Sequence, residues 1–75
     1  MSAASRRATI EVVLNGRAHS VPSAATVAQL VEALGRGGDG LAVAVNAEIV
    51  IRSRWPVTVL SAGDRVEILA AAQGG

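Results

Sequence analysis

The amino-acid sequence predicts an α+β domain in which a mixed sheet of four to five strands carries one main helix across one face. Two strand-like runs near the beginning are joined by Asn-Gly, a pair typical of a two-residue hairpin turn. One amphipathic helix follows that hairpin. Further strand-like runs at 41–45, 48–51 and 65–69 come after the helix, so strands lie on both sides of it in the sequence.

The first hairpin is predicted from residues 9–14 (TIEVVL), the turn Asn15-Gly16 and a return strand at 17–21. Both turn residues tolerate the positive φ that a type I′ turn requires. Side chains alternate between the two faces of a strand. This alternation places three residues on the inward face: Ile10, Val12 and Leu14.

The helix is predicted from a capping box and an apolar stripe. Thr26 is the N-cap, and Gln29 stands three residues later, as the capping box requires. Gly35 occupies the position of a C′ glycine, which ends the helix. The stripe follows the i, i+3, i+4, i+7 spacing of a helix lying on a sheet, and its members are Val27, Leu30, Val31 and Leu34.

The second half of the chain is predicted to contain two more strands, an irregular crossing and a last strand. Residues 41–45 (LAVAV) form a strand from the middle of a sheet, and Asn46-Ala47 turns the chain into 48–51. The pattern breaks around Trp55, whose indole is expected to close one end of the core. On the last strand, alternation places Val66 and Ile68 inward. The whole order is that of a β-grasp fold.

Composition limits the class of protein. The chain has 75 residues, enough for one domain, and its net charge is +1 with seven Arg, no Lys and no Cys. Without a basic stripe or stacking aromatics, nucleic-acid binding is not expected. No apolar run suggests a membrane span or a secretory signal, so a soluble, cytoplasmic protein is expected. The predicted organisation is a flexible segment at 1–8, a domain at 9–69 and a flexible Gly-Gly tail at 70–75.

The tail has no evident role in folding. Gln73 is followed by Gly74 and Gly75, and glycine contributes no side chain to a core while costing backbone entropy. A pair of glycines does supply a narrow thread that ends in a carboxylate. Small, polar chain ends are also common in proteins without such a function, so the tail has to be interpreted together with the domain before it.

Four segments carry a family resemblance: 43–48 (VAVNAE), 52–55 (RSRW), 63–68 (GDRVEI) and 73–75 (QGG). With them the chain resembles the ThiS family of sulfur carriers in thiamine biosynthesis, which belongs to the ubiquitin-like β-grasp superfamily. The resemblance extends over nearly the whole chain after Arg7. One departure is Ala47, which stands where glycine is common in the family, and a change in turn geometry is expected there.

The resemblance implies a carrier, not an enzyme. The Gly75 carboxylate would be adenylated with ATP bound by an E1-like, ThiF-like partner enzyme, and the carrier itself would bind no cofactor or metal. Sulfur from a protein persulfide would then give a Gly75 thiocarboxylate. A ThiG-like thiazole synthase would take the sulfur from it. Gln73 and Gly74 would enter the partner's active site with Gly75.

Three alternatives remain open at this point. One is the small subunit of molybdopterin synthase, although such tails usually carry a proline and an aromatic residue that 69–73 lacks. Another is a sulfur carrier for cysteine synthesis. The third is a ubiquitin-like interaction module in which Gly-Gly has no chemical role. An enzyme is not expected, because no nucleophile–base pair or metal cluster is evident in the sequence.

A docking surface for the partner enzymes is expected on the face of the sheet that the helix leaves uncovered. Apolar side chains on such a face often mark an interaction site. The residues predicted to contribute are Val13, Ala42, Ala44 and Leu69, with Arg65 and Glu67 at the edge of the surface.

Overall fold

A computed structural model describes residues 8–35 and 40–70 of the chain. The flexibility predicted for the N-terminal segment concerns residues that, apart from Ala8, lie outside the described ones. The same holds for most of the predicted tail, which includes Gln73, Gly74 and Gly75.

The described residues form one sheet of five strands in the order β2-β1-β5-β3-β4. β1 and β5 are parallel, and the other neighbouring strands are antiparallel. The last strand of the chain therefore lies in the middle of a mixed sheet, and the predicted β-grasp architecture is confirmed. The strands are β1 Thr9–Leu14, β2 Arg17–Pro22, β3 Leu41–Val45, β4 Glu48–Val50 and β5 Arg65–Ala70.

Two hairpins with two-residue turns build the sides of the sheet. In the first turn Asn15 and Gly16 have φ values of 49° and 85°, and in the second Asn46 and Ala47 have φ values of 53° and 71°. Positive φ at both positions is the type I′ geometry, whose twist matches that of the flanking strands. Ala47 thus adopts a positive φ that glycine would adopt without strain.

The helix α1, Val27–Ala33, begins and ends where the sequence predicts. The backbone N–H of Gln29 donates to Thr26 Oγ1 at 3.2 Å, and the Thr26 N–H donates to Gln29 Oε1 at 2.9 Å, which completes the capping box. Leu34 is the C-cap, and Gly35 follows with a φ of 77°. The predicted stripe faces the sheet, with three members buried and Leu34 half-buried.

The core lies between α1 and one face of the sheet, which we call the inner face. Trp55 closes this core as predicted, with 5% of its surface exposed. On β5, Val66 and Ile68 are buried while Arg65 and Glu67 are exposed, so the predicted alternation is confirmed. The other buried residues are Val12, Val21, Ala25, Val27, Leu30, Val31, Val43 and Leu60.

Three strand ends differ from the sequence-based prediction. β2 includes Pro22, one residue beyond its predicted end. β4 ends at Val50, one residue early, because the chain enters a 3-10 helix, Arg52–Val57, where an irregular crossing was expected. Such a short helix has no 3.6-residue repeat that the sequence could display. β5 continues through Ala70, one residue beyond the predicted end, because Ala70 pairs with Leu41 on β3.

Candidate functional site

The strand that leads to the tail is paired on both of its edges. β5 runs parallel to β1, with Leu14 opposite Val66, and antiparallel to β3, with Leu41 opposite Ala70. The chain therefore leaves the described part of the domain from the centre of the sheet. Residues 71–75 continue from this point.

The predicted docking residues come together on the face of the sheet opposite the core, which we call the outer face. Partners in neighbouring strands point their side chains to the same face, and the inward set of β5, β1 and β3 belongs to the core. The six predicted residues form three cross-strand pairs, which are Val13 with Arg65, Ala44 with Glu67, and Ala42 with Leu69.

Exposure varies among these six residues. Leu69 is 64% exposed, and Ala42 is exposed beside it. Val13 and Ala44 are half-buried. Arg65 and Glu67 are exposed and two positions apart on β5, so β5 contributes one charge of each sign to the outer face.

Ile49 is a prominent member of the outer face that the sequence analysis did not identify. It lies opposite Ala44 in the β3–β4 hairpin, and 70% of its surface is exposed. Together with Leu69 it borders an open groove of about 270 Å³, whose floor includes Ala42 and Ala44. The register of a two-residue turn at Asn46-Ala47 could have revealed this pairing, since such a turn places Ala44 opposite Ile49.

Asn46 and Asp64 connect two of the segments that carry the family resemblance. Asn46 Nδ2 donates to Asp64 Oδ1 at 3.0 Å, and the Arg65 N–H donates to Asn46 Oδ1 at 2.9 Å. Asp64 Oδ2 also accepts from the Ser61 N–H at 2.8 Å. The second hairpin turn is thus attached to the beginning of β5.

Asn15 makes a comparable connection further along β5. Its backbone N–H donates to the Val66 carbonyl at 2.9 Å. Its side-chain amide contacts both backbone polar groups of Ile68: Nδ2 donates to the carbonyl at 3.2 Å, and Oδ1 accepts from the N–H at 2.9 Å. The sequence indicated only a turn at Asn15, because this contact joins residues far apart in the chain.

A larger cleft of about 540 Å³ lies elsewhere, between β2 and α1. His19 is the one titratable residue of its lining, and it is half-buried on β2. The remainder of the lining is apolar or small, with serines and Gln29. The lining therefore offers no acid–base pair for catalysis.

Within 8–35 and 40–70, no group of three or more His, Cys, Asp or Glu side chains is arranged to hold a metal ion. In the same part of the chain, no helix has the length and apolar character needed to cross a membrane.

Comparisons with known proteins agree with the observed fold. The sequence model of the ThiS family matches residues 7–75. The sulfur carrier protein ThiS of Escherichia coli (strain K12) is 29% identical over 66 residues, which cover 88% of this chain and 100% of that protein. The crystal structure of the thiamine biosynthesis protein ThiS from Geobacter metallireducens is similar with a TM-score of 0.73 at 29% identity. That match covers 88% of this chain and 100% of the other.

Proposed function

Because this chain belongs to the ThiS family, we propose that it is a sulfur carrier whose Gly75 carboxylate becomes a thiocarboxylate and donates sulfur for the thiazole ring of thiamine. The observation that supports this proposal most directly is the match to a protein named as a sulfur carrier. The match covers the full length of that protein and 88% of this chain. A second observation in its support is the position of Gly74-Gly75 in the sequence, a few residues after the central strand of the sheet.

The proposed chemistry begins with activation of the carboxylate. In an E1-like, ThiF-like adenylating enzyme, the Gly75 carboxylate attacks the α-phosphate of ATP, and pyrophosphate leaves. The product is an acyl adenylate, in which AMP is a good leaving group, whereas a free carboxylate is a poor electrophile. ATP is bound by the partner enzyme in this scheme, and the carrier supplies only the reacting group.

Sulfur replaces AMP in the second stage. The terminal sulfur of a protein persulfide attacks the acyl carbon, AMP leaves, and an acyl disulfide forms. A thiol then attacks the donor's sulfur, so a disulfide forms on the donor and the Gly75 thiocarboxylate is released. The chain itself has no Cys, which suits a carrier whose sulfur resides on the terminal carbonyl carbon.

The outer face is proposed as the surface that docks the adenylating enzyme and a ThiG-like thiazole synthase. Its apolar groove lies on β3, β4 and β5, and the tail continues from β5. A partner that covers the groove would therefore receive the tail from the strand that it contacts. In this arrangement the sheet provides recognition, while Gln73, Gly74 and Gly75 enter the partner's active site.

Intact mass measurement tests the proposal. The chain is produced together with the adenylating enzyme and a persulfide donor, and we expect a mass increase equal to one oxygen replaced by sulfur. A matched variant with one alanine added after Gly75 keeps the domain but moves the carboxylate, and its mass should not change. An unmodified parent protein would refute the carrier function and favour an interaction module. Incubation of the thiocarboxylate with thiazole synthase, and separately with the other subunit of molybdopterin synthase, then identifies the acceptor.

A further inference from the structure

β5 continues for four residues beyond its last pairing with β1. The last β1–β5 pair is Leu14 with Val66, and the chain then turns away at Asn15-Gly16. In a parallel ladder the next backbone groups of β5 that point toward β1 are those of Ile68. A continued β1 strand would have paired with them.

The side chain of Asn15 takes the place of that missing peptide group. A carboxamide has the same donor and acceptor as a peptide unit. Asn15 uses both on Ile68, with Nδ2 to the carbonyl at 3.2 Å and the N–H to Oδ1 at 2.9 Å. On its other side Ile68 is paired with Val43 of β3. β5 is therefore held on both edges as far as Ile68, although its backbone pairing with β1 ends at Val66.

We propose that Asn15 is a positioning residue for the tail: its amide directs the end of β5, so that the Gly75 carboxylate is presented correctly for activation. Only Leu69 and Ala70 separate Ile68 from the undescribed residues 71–75. Beyond Ile68 the strand is paired on one edge only, by Ala42 and Leu41 of β3, so Asn15 makes the last contact on the β1 edge before the tail. This inference rests on the proposed carrier function.

Asn46 provides a matched comparison. It also occupies the first position of a type I′ turn, with a φ of 53° against 49° for Asn15, and its Oδ1 likewise accepts from a backbone N–H of β5 at 2.9 Å. Its contact is at Arg65, at the beginning of the strand and far from the tail. Loss of either amide removes comparable hydrogen bonds, but only Asn15 acts near the exit.

The first experiment needs no partner. Asn15→Gly and Asn46→Gly remove the amides, and glycine tolerates the positive φ at both positions. Measured by NMR, exchange of the Ile68 amide hydrogen should become roughly three- to tenfold faster in Asn15→Gly, as expected for the loss of one hydrogen bond. It should be unchanged in Asn46→Gly. Unchanged protection of Ile68 in Asn15→Gly would overturn the proposed hold on β5.

The second experiment measures ATP–pyrophosphate exchange by the adenylating enzyme with each carrier variant, at a temperature where all variants are folded. In Asn15→Gly the groove residue Leu69 keeps its pairing with Ala42 of β3, so KM should stay nearly the same while kcat falls roughly tenfold or more through misplacement of the carboxylate. Asn46→Gly should match the parent in both constants. Asn15→Asp keeps the acceptor for the Ile68 N–H and loses the donor, so its kcat should be intermediate.

The two hypotheses fail in different ways. If the parent protein supports no exchange, the carrier function is refuted, and the role of Asn15 in activation falls with it. If the parent is active and Asn15→Gly has the same kcat, only the positioning role is refuted. An equal fall of kcat in Asn15→Gly and Asn46→Gly would also refute it, because that result indicates a general effect on the fold.

Discussion

At the scale of single residues, Trp55 combines burial with a specific polar contact. It is the only aromatic residue of the chain, and its Nε1–H donates to the Val50 carbonyl at 2.8 Å. The guanidinium carbon of Arg52 lies 5.8 Å from the ring centroid. The indole thus fills the end of the core, satisfies a carbonyl at the end of β4 and holds the 3-10 helix against the sheet.

Trp55→Ala should therefore lower the free energy of unfolding by about 3–5 kcal/mol, the usual cost of removing a large buried aromatic side chain. Trp55→Phe keeps much of the volume and loses the hydrogen bond, so a smaller loss of about 1 kcal/mol beyond any repacking cost is expected. Urea unfolding followed by circular dichroism measures both values. An alanine variant as stable as the parent, but unable to be adenylated, would instead make Trp55 a contact residue.

Ala47 offers a test of backbone strain in which two like substitutions have opposite effects. A left-handed conformation costs an L residue about 1–2 kcal/mol, and glycine avoids this cost. Part of the gain is offset because glycine increases the conformational entropy of the unfolded chain. Ala47→Gly should therefore stabilise the domain by roughly 0.5–1 kcal/mol, which raises the Tm by a few degrees. Ala62 lies in an exposed turn without positive φ, and Ala62→Gly should lower the Tm. Calorimetry that gave a loss for both would show that Ala47 is not strained.

At the scale of elements, the outer face depends on the register of β3, β4 and β5. Ile49, Ala44 and Glu67 lie in one row across these three strands. A charge introduced into that row would have to be desolvated when a partner covers the groove, which is unfavourable unless it is paired. The row therefore allows docking to be disturbed without changing the core.

Ile49→Glu should weaken binding to the adenylating enzyme roughly tenfold or more, as for residues at the centre of an interface. Ala44→Glu should act in the same direction. The control is Val57→Glu on the 3-10 helix, since Val57 is 62% exposed and lies outside the sheet; its Kd should equal that of the parent. Calorimetric titration gives the Kd values. Equal weakening by Ile49→Glu and Val57→Glu would remove the groove from the proposed interface.

The elements also show what the sequence could and could not predict. Both ends of the helix α1 were predictable because the signals for them are local. The capping box at Thr26 marks its start, and Gly35 marks its end. The alternation along β5 was predictable for the same reason. The contacts of Asn15 with Ile68 were not, because they depend on a parallel pairing between residues 53 positions apart. The length of β5 likewise depends on the β3 partner of Ala70.

At the scale of the whole molecule, the sheet separates stability from the proposed chemistry. Within residues 8–35 and 40–70, every buried core residue lies between Val12 and Ile68 in the sequence. Ala70 is paired at the end of the central strand, and five residues remain to Gly75. Fully extended, these five residues span about 17 Å. That length would let the carboxylate reach an active site while the outer face stays docked at its entrance.

Substitutions in the tail should therefore affect function without affecting folding. Gly74→Val adds a branched side chain where the thread has to be narrowest, so activation should be blocked while the Tm remains that of the parent. Ala72→Val is the matched control, since it also adds a branched side chain but farther from the carboxylate. Activation of this variant should be reduced less than that of Gly74→Val. ATP–pyrophosphate exchange and calorimetry are measured on both variants. Normal exchange by Gly74→Val would argue against a narrow slot around the glycines, and a large fall in Tm would show that the tail contributes to the folded domain.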